Sequence, residues 1–454
     1  MLREEREKIF IGIDIGKKKN WVSVSSLYSK DEIRKRKKYS NSIPGFYKLL
    51  AELNRIIEDE EVDIGEVLVG LESTGSYWIN IYKFLVVRGF NVVMVKNRLV
   101  KLKREAKYSQ KGKNDSIDSH CIGLVLKDGD HFCIREINKN YSAIRRMTRS
   151  REDFTKIKSQ NKNRLREWLD VNNPVYFEVF TTVDSKTGIA ILREYPSPRD
   201  IVDKDIEEVK EVLRQDSRNK KIDFRLVNEY LVIAKEFYKD TLILDSGDRK
   251  EIQCYIRQHE SLAEQIKELD KNINEIAHET IPAYDKILKI KGLGEKEVIT
   301  LLAEIGVVEN FPNARTLQAY FGLSIKGESS CTMVKETNIT KSGNRLARKC
   351  LYHIAMNLVS KNSEWRKLYC YYKAYERKNK NIDKEMLVAV SCKLLRVLYG
   401  MLKHNKEFDS IEFFENLNFA KCNKEKFKNE YVDKDGKWNI SDEEIDELFA
   451  YQYK

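Results

Sequence analysis

The chain has 454 residues, with 83 lysines and arginines against 71 aspartates and glutamates, a net charge of +12. That length supports two to four domains with full cores, and no run of about 18 apolar residues is present to form a membrane-spanning helix. The charged opening MLREEREK precedes a predicted strand instead of a signal-peptide core, so a soluble, unexported, cytoplasmic protein with no membrane partner is expected. The cysteines at 121, 133, 254, 331, 350, 370, 392 and 422 are scattered without a CxxC pair, which reads as reduced thiols.

From residue 9 to about 130, strands are predicted over 9–16, 20–27, 66–72 and 91–95, with helices near 44–58, 77–88 and 114–127. This is an α/β domain with a mixed sheet. Four acids stand out within it. Asp14 interrupts the alternating run IFIGIDIG, where it cannot cap a helix and where burial without a partner is costly. Glu72 closes the apolar run Val67 to Leu71, so it sits where a strand ends. Asp115 and Asp118 are spaced i, i+3 at the start of a helix and project from one face, where their repulsion calls for a cation. Together these carboxylates suit two magnesium or manganese ions, which can activate the attacking oxygen and neutralise the leaving one in phosphoryl transfer. Taken singly, an isolated acid usually fits a cap or a solvated charge, Asp118 most easily and Asp14 least. His120, beside the Asp pair, reads as a surface or supporting residue.

The basic excess is concentrated in runs at 17–19, 34–38, 96–107 and 145–166. Basic stretches flanking acids are expected when the substrate is a phosphate backbone, although each run separately fits a solvated face. Candidate nucleic-acid contacts in and beside these runs are Lys17, Lys18, Lys96, Arg98, Lys101, Lys103, Arg104, Lys113, Arg145 and Arg146. The segment from about 141 to 170 reads as one long helix with Ile144, Met147, Phe154, Leu165 and Trp168 on its buried side. Residues 174–250 read as a small helical insertion.

A second long helix follows, in which Tyr255, His259, Leu262, Ile266, Leu269, Ile273 and Ile276 form a coiled-coil-like heptad seam. Its partner is either the helix at 141–170, as an antiparallel hairpin with the insertion at its tip, or the same helix in another subunit. Next, ILKIKGLGEKEVITLLAEIG matches a helix-hairpin-helix pattern, in which Lys291, Gly292 and Gly294 make a tight turn whose amides can face a phosphate. A Ser/Thr-rich segment then leads to Lys341 and Asn344 and into a basic helix carrying Arg345 and Arg348, a further candidate backbone grip.

The order IGIDIGKKK, GLESTGSYW, KNDSIDS, KIKGLGEKEVITLLAEIG, AYFGLS with GESS, and ITKSGNRLAR resembles the DEDD-type transposases of insertion sequences, kin of the Piv and MooV site-specific DNA invertases. The resemblance spans roughly residues 9–130 and 284–360. It implies a RuvC-like catalytic domain of RNase H fold over 1–135, whose metal ligands are Asp14, Glu72, Asp115 and Asp118. It further implies coiled-coil helices over 136–283 carrying the 174–250 insertion, and a helical transposase domain over 284–405. A tail at 406–454 lies outside it, either a subunit contact or a mobile end. The family's nucleophile is a serine of the transposase domain; by position this is Ser330, with Ser329 as the alternative, since Cys331 stands where the family commonly has glycine. The implied reaction cuts and rejoins donor and target DNA through a phosphoserine, guided by a noncoding bridge RNA, in a homo-oligomer (dimer or tetramer) acting at the nucleoid of a prokaryote. Two other readings stay open: a RuvC-like endonuclease that uses water, and a non-catalytic DNA- or RNA-binding protein.

Overall fold

The alternation at residues 9–27 folds as a β-hairpin in the computed structural model, which describes residues 8–29, 32–72, 75, 77–108, 114–133, 139–215, 222–324, 329–330, 333–334, 339–374, 382–414, 417, 419, 422–432 and 437–450. Strand β1 (Ile9–Ile15) pairs antiparallel with β2 (Lys19–Ser26), which pairs antiparallel with β3 (Glu32–Ser40). On the other side of β1 lie β4 (Val67–Glu72) and then β5 (Asn91–Val95), both parallel to it, with β6 (His131–Cys133) antiparallel at the far edge. The sheet order is β3-β2-β1-β4-β5-β6, a mixed α/β arrangement as expected. Strands β3 and β6 are additions to that expectation. Strand β3, EIRKRKKYS, carries no buried residue, because an edge strand needs little apolar surface and gains solubility from charge.

Each strand residue's side of the sheet follows from period two. Ile9, Ile11, Ile13 and Ile15 join Val22, Val24, Val69 and Leu71 on one face, covered by α1 (Ile43–Asp59) and α2 (Trp78–Val86). Phe10 faces the opposite way, with Val93 and Val95, toward α3 (Asn97–Tyr108) and α4 (Asp115–Lys127). Helix α4 rests directly on β1. A Cβ built on Gly12 would come 2.0 Å from the Ser119 carbonyl oxygen and 2.6 Å from the Gly123 nitrogen, both backbone atoms. Gly12→Ala must therefore push α4 off the strand, and a loss of about 3 kcal/mol or more is expected, the upper end for overpacking. A urea midpoint within error of wild type would show that α4 can shift without cost.

Residues 138–454 form a second compact unit, separate from 1–137. Helix α5 (Lys139–Asn172) leads into five short helices, α6 (Tyr176–Val179), α7 (Lys186–Glu194), α8 (Pro198–Ile201), α9 (Ile206–Gln215) and α10 (Phe224–Phe237), before α11 (Ser246–Thr280). Helices α5 and α11 run antiparallel within the chain: Arg151 reaches Asp270 while Asn161 reaches Gln258. The buried line on α11 is Ile252, Ile256, His259, Leu262, Ile273 and Ala277, with Tyr255, Ile266, Leu269 and Ile276 of the seam only half-buried. A strict heptad drifts by about 20° per repeat on a straight helix, so seam positions fall beside the contact line. The five short helices share a core with Leu165, Trp168, Ile252 and Ile256, closing the tip of this hairpin.

The rest of the unit is built from α12 (Tyr284–Leu288), α13 (Glu295–Ile305), α14 (Ala314–Tyr320), the two-residue strands β7 (Ser329–Ser330) and β8 (Met333–Val334), and α15 (Arg345–Lys361). It continues through α16 (Ser363–Ala374), α17 (Ile382–His404), α18 (Ser410–Phe414), α19 (Lys424–Tyr431) and α20 (Asp442–Ala450). The segment beyond 406 shares this core. Phe413, Phe419, Phe427 and Ile445 are buried with Trp365 and Leu368, and Arg366 donates to the carbonyls of Glu430 and Tyr431. The segments expected at 136–283, 284–405 and 406–454 thus all lie in one unit. No helix among the described residues is long and apolar enough to cross a membrane.

Candidate active site

Asp14 is 3% exposed and stands between Ile13 and Ile15 at the end of β1; Glu72 is 9% exposed and is the last residue of β4. The parallel register pairs Ile13 with Leu71, so the two acids stand one step further along neighbouring strands, and strand alternation sends both to the α4 side of the sheet. Asp118, 2% exposed, lies on the buried side of α4. Asp115 is one turn earlier and exposed, in a helix start capped by Asn114, whose side chain accepts from the amides of Ser116 and Ile117. Three of the four acids are therefore buried on one side of one sheet.

Asp118 is held by Arg104 of α3, whose Nη1 donates to both carboxylate oxygens at 2.5 and 2.7 Å. Arg104, expected among the nucleic-acid contacts, is turned inward because α3 packs on α4, which leaves the residue 8% exposed. Hard carboxylate oxygens fit magnesium or manganese. Among the described residues, however, no group of three His, Cys, Asp or Glu side chains comes together to hold an ion, and Arg104 supplies the counter-charge at Asp118. Removing one partner of a buried ion pair strands the other charge. Arg104→Met is expected to cost about 3–5 kcal/mol, and a double change with Asp118→Leu to recover most of it. If denaturant melts of the single and double variants coincide, the pair is not what holds α3 on α4.

His120 is buried away from the acids. Its Nδ1 lies 3.4 Å from Ser23 Oγ and 3.5 Å from Glu32 Oε1, and its Nε2 lies 3.3 Å from Lys107 Nζ. Ser23 donates to Glu32 directly at 2.6 Å, and both approach the same ring nitrogen, so the trio lacks the two-sided imidazole that a nucleophile–base–acid relay needs. Burial pushes the Glu32 carboxyl up, but hydrogen bonds from His120, Arg36 and Ser23 outweigh it and hold the group down to about 2.

In the second unit, Ser329 and Ser330 pair antiparallel with Val334 and Met333. Cys331 lies outside the described residues. The stem of this hairpin is closed by backbone bonds from Thr340 N to Ser324 O and from Lys341 N to Gly322 O. Gly322 and Gly343 take positive φ of 70° and 143°, and a Cβ on Gly343 would meet the Tyr320 carbonyl at 2.4 Å. The two chain segments cross too closely there for any side chain.

The remaining candidate contacts divide by environment. Lys17, Lys18, Lys96, Arg98, Lys101, Arg146, Lys291, Lys341 and Arg345 are exposed, and Lys113 lies outside the described residues. Lys101 sits 3.8 Å from Glu105 and Lys103 pairs with Asp128. Gly292 has φ 99° and lets the α12–α13 turn pack on the end of α15, where Asn362 donates to Lys291 O at 3.0 Å. Gly294 is the N-cap of α13, but a Cβ there would lie 2.6 Å from Glu297 Oε2, so a carboxylate already covers that helix start. Asn344 caps α15, and Arg348 donates to Phe321 O at 2.8 Å, which gives both structural work.

Sequence reasoning missed Glu304 of α13. It is 1% exposed, and its oxygens receive Arg149 Nε and Nη2 at 2.7 and 3.0 Å and Asn344 Nδ2 at 2.5 Å, with Arg145 Nε 2.8 Å from Oε2. Burial raises its carboxyl, but Arg149, Arg145 and Asn344 outweigh that, so it is held below the usual carboxylate range. The available signal was the same as for Asp14: an acid amid apolar neighbours, here LLAEIG.

Comparison with known proteins adds two family matches. A DEDD-type model described as "Transposase" matches residues 11–174, and one described as "Transposase IS116/IS110/IS902 family" matches residues 284–370. The first spans all four acids, and the second spans Glu304 and the serine hairpin. Pilin gene-inverting proteins of Moraxella bovis and Moraxella lacunata are each 24% identical to the chain over 188 residues, 39% of this chain and 58% of theirs. The chain thus spans under two thirds of the length of the curated relatives it matches.

Proposed function

The chain belongs to the transposases of the IS116/IS110/IS902 family, and from that premise we propose that it cuts and rejoins DNA strands of a mobile element, with a RuvC-like acidic centre and a serine nucleophile. The observation that carries this reading is the burial of Asp14, Glu72 and Asp118 on one side of the mixed sheet, within the segment that the DEDD-type model matches. Their hard carboxylate oxygens are the donors that magnesium and manganese prefer. Asp14, Glu72, Asp115 and Asp118 would hold magnesium or manganese, two ions in the full form of the proposal. Bound there, the metal supplies charge neutralisation at the phosphate.

The serine's part is covalent. Ser330 Oγ attacks phosphorus, its bond to phosphorus forms as a DNA ester bond breaks, and the departing DNA hydroxyl takes up a proton. A hydroxyl of the exchanged strand then attacks the phosphoserine, restoring the serine and a phosphodiester. One phosphate ester replaces another at each stage, so no nucleotide energy source is needed. Exchange of two strands requires more than one nucleophile, which favours a homo-oligomer, dimer or tetramer. The exposed Lys17, Lys18, Lys96 and Arg98 and the charge of +12 suit donor and target DNA and a noncoding bridge RNA held by backbone contacts while base pairing selects sequence. The matched relatives are named for gene inversion, which is strand exchange of the same class.

The test is a recombination assay with purified protein, donor and target DNA, magnesium and RNA transcribed from the element's flank. A protein–DNA adduct stable to denaturation, present in wild type and absent from a serine variant, supports the reading. Cleavage by both Ser330→Ala and Ser329→Ala would assign the chemistry to water.

A further inference from the structure

A carboxylate as deeply buried as Glu304 needs one cation to offset it, and here it has two. Arg145 and Arg149 are one turn apart on α5, so they rise side by side from one face of that helix. Glu304 neutralises one of their charges and leaves the other. Both side chains remain partly open, 38% exposed for Arg145 and 52% for Arg149, and Arg149 Nη1 and both Nη groups of Arg145 lie outside the contacts with Glu304. A purely structural tie would bury both guanidiniums or use one. Instead the buried acid fixes the half-exposed fork of Arg149 through two hydrogen bonds and draws Arg145 Nε to it by charge, which lowers the ordering cost when an anion binds.

The location matters as much as the charge. Asn344, the third group on Glu304, follows Gly343, whose backbone lies against the Tyr320 carbonyl at the stem of the serine hairpin. Tyr320 is 42% exposed. We propose that Arg145 and Arg149, held on Glu304, form a seat for one phosphate of a DNA strand at the base of the serine hairpin. The seat's use in catalysis rests on the serine reading above; its binding of phosphate does not.

The experiment titrates the full-length protein with a fluorescein-labelled DNA duplex at several salt concentrations. Each of Arg145→Ala and Arg149→Ala should lower the slope of log affinity against log salt by about one and weaken binding about fivefold near physiological salt. Arg149→Lys keeps the charge but not the fork on Glu304, so it should hold the wild-type slope with reduced affinity, which separates a lost phosphate contact from a misfolded chain. Ser329→Ala and Ser330→Ala should match wild type in both quantities. Wild-type slopes and affinities in both alanine variants would overturn the seat, whatever the serine variants do. Reduced slopes together with adduct formation by the Ser329→Ala/Ser330→Ala double variant would leave the seat standing and sink the nucleophile reading alone.

Discussion

Ser330→Ala should bind DNA as wild type does yet lose strand exchange by on the order of 10⁴-fold or more, the usual consequence of deleting a covalent nucleophile. The loss falls on the covalent step, so the adduct should vanish with it, while a water-using nuclease would keep nearly full cleavage. Ser329→Ala is the internal comparison. The two serines are neighbours in one short strand, registered on Val334 and Met333, and a single nucleophile is proposed, so one variant should be inactive and the other close to wild type. Adduct formation that survives in each single variant and disappears only in the double would mean that either hydroxyl can reach the phosphorus.

The site was legible in the sequence wherever a charged residue broke an apolar pattern. Asp14 between two isoleucines and Glu72 at the end of an apolar run announce buried acids, because a strand core tolerates a carboxylate only with a compensating partner. Arg104 was not legible. Its inward turn comes from α3 packing on α4, and within the run Lys96 to Lys107 it looks like every other cation. Glu304 carried the same signal as Asp14, but it sits in a helix next to a glycine-rich turn that drew the functional reading to itself. The aromatic segment beyond 406 looked peripheral for a related reason. Phe413 and Phe419 have their partners, Trp365 and Tyr371, far away in sequence, and no local periodicity records such contacts. Strand β3 escaped because the edge of a sheet asks for charge more than for apolar alternation.

Asp14→Asn should reduce strand cleavage on the order of 10³-fold, since the charge stabilisation that a bound divalent ion lends the transition state amounts to several kcal/mol and each 1.4 kcal/mol is tenfold in rate. Asparagine has nearly the same shape, and at a position only 3% exposed a neutral amide costs no more to bury than a carboxylate. The variant should therefore unfold within about 1 kcal/mol of wild type, so that lost activity is not lost folding. Calorimetric titration with manganese separates the readings further: wild type should take up the ion and Asp14→Asn should bind it far more weakly. Arg104 sharpens that comparison. Metal uptake at Asp118 has to displace a two-point guanidinium contact, so Arg104→Met should bind manganese more tightly than wild type and regain stability when the ion is added. Unaltered cleavage by Asp14→Asn, with manganese affinity unchanged in both variants, would leave the buried acids as structural charges and would place the cleavage chemistry outside the acidic centre.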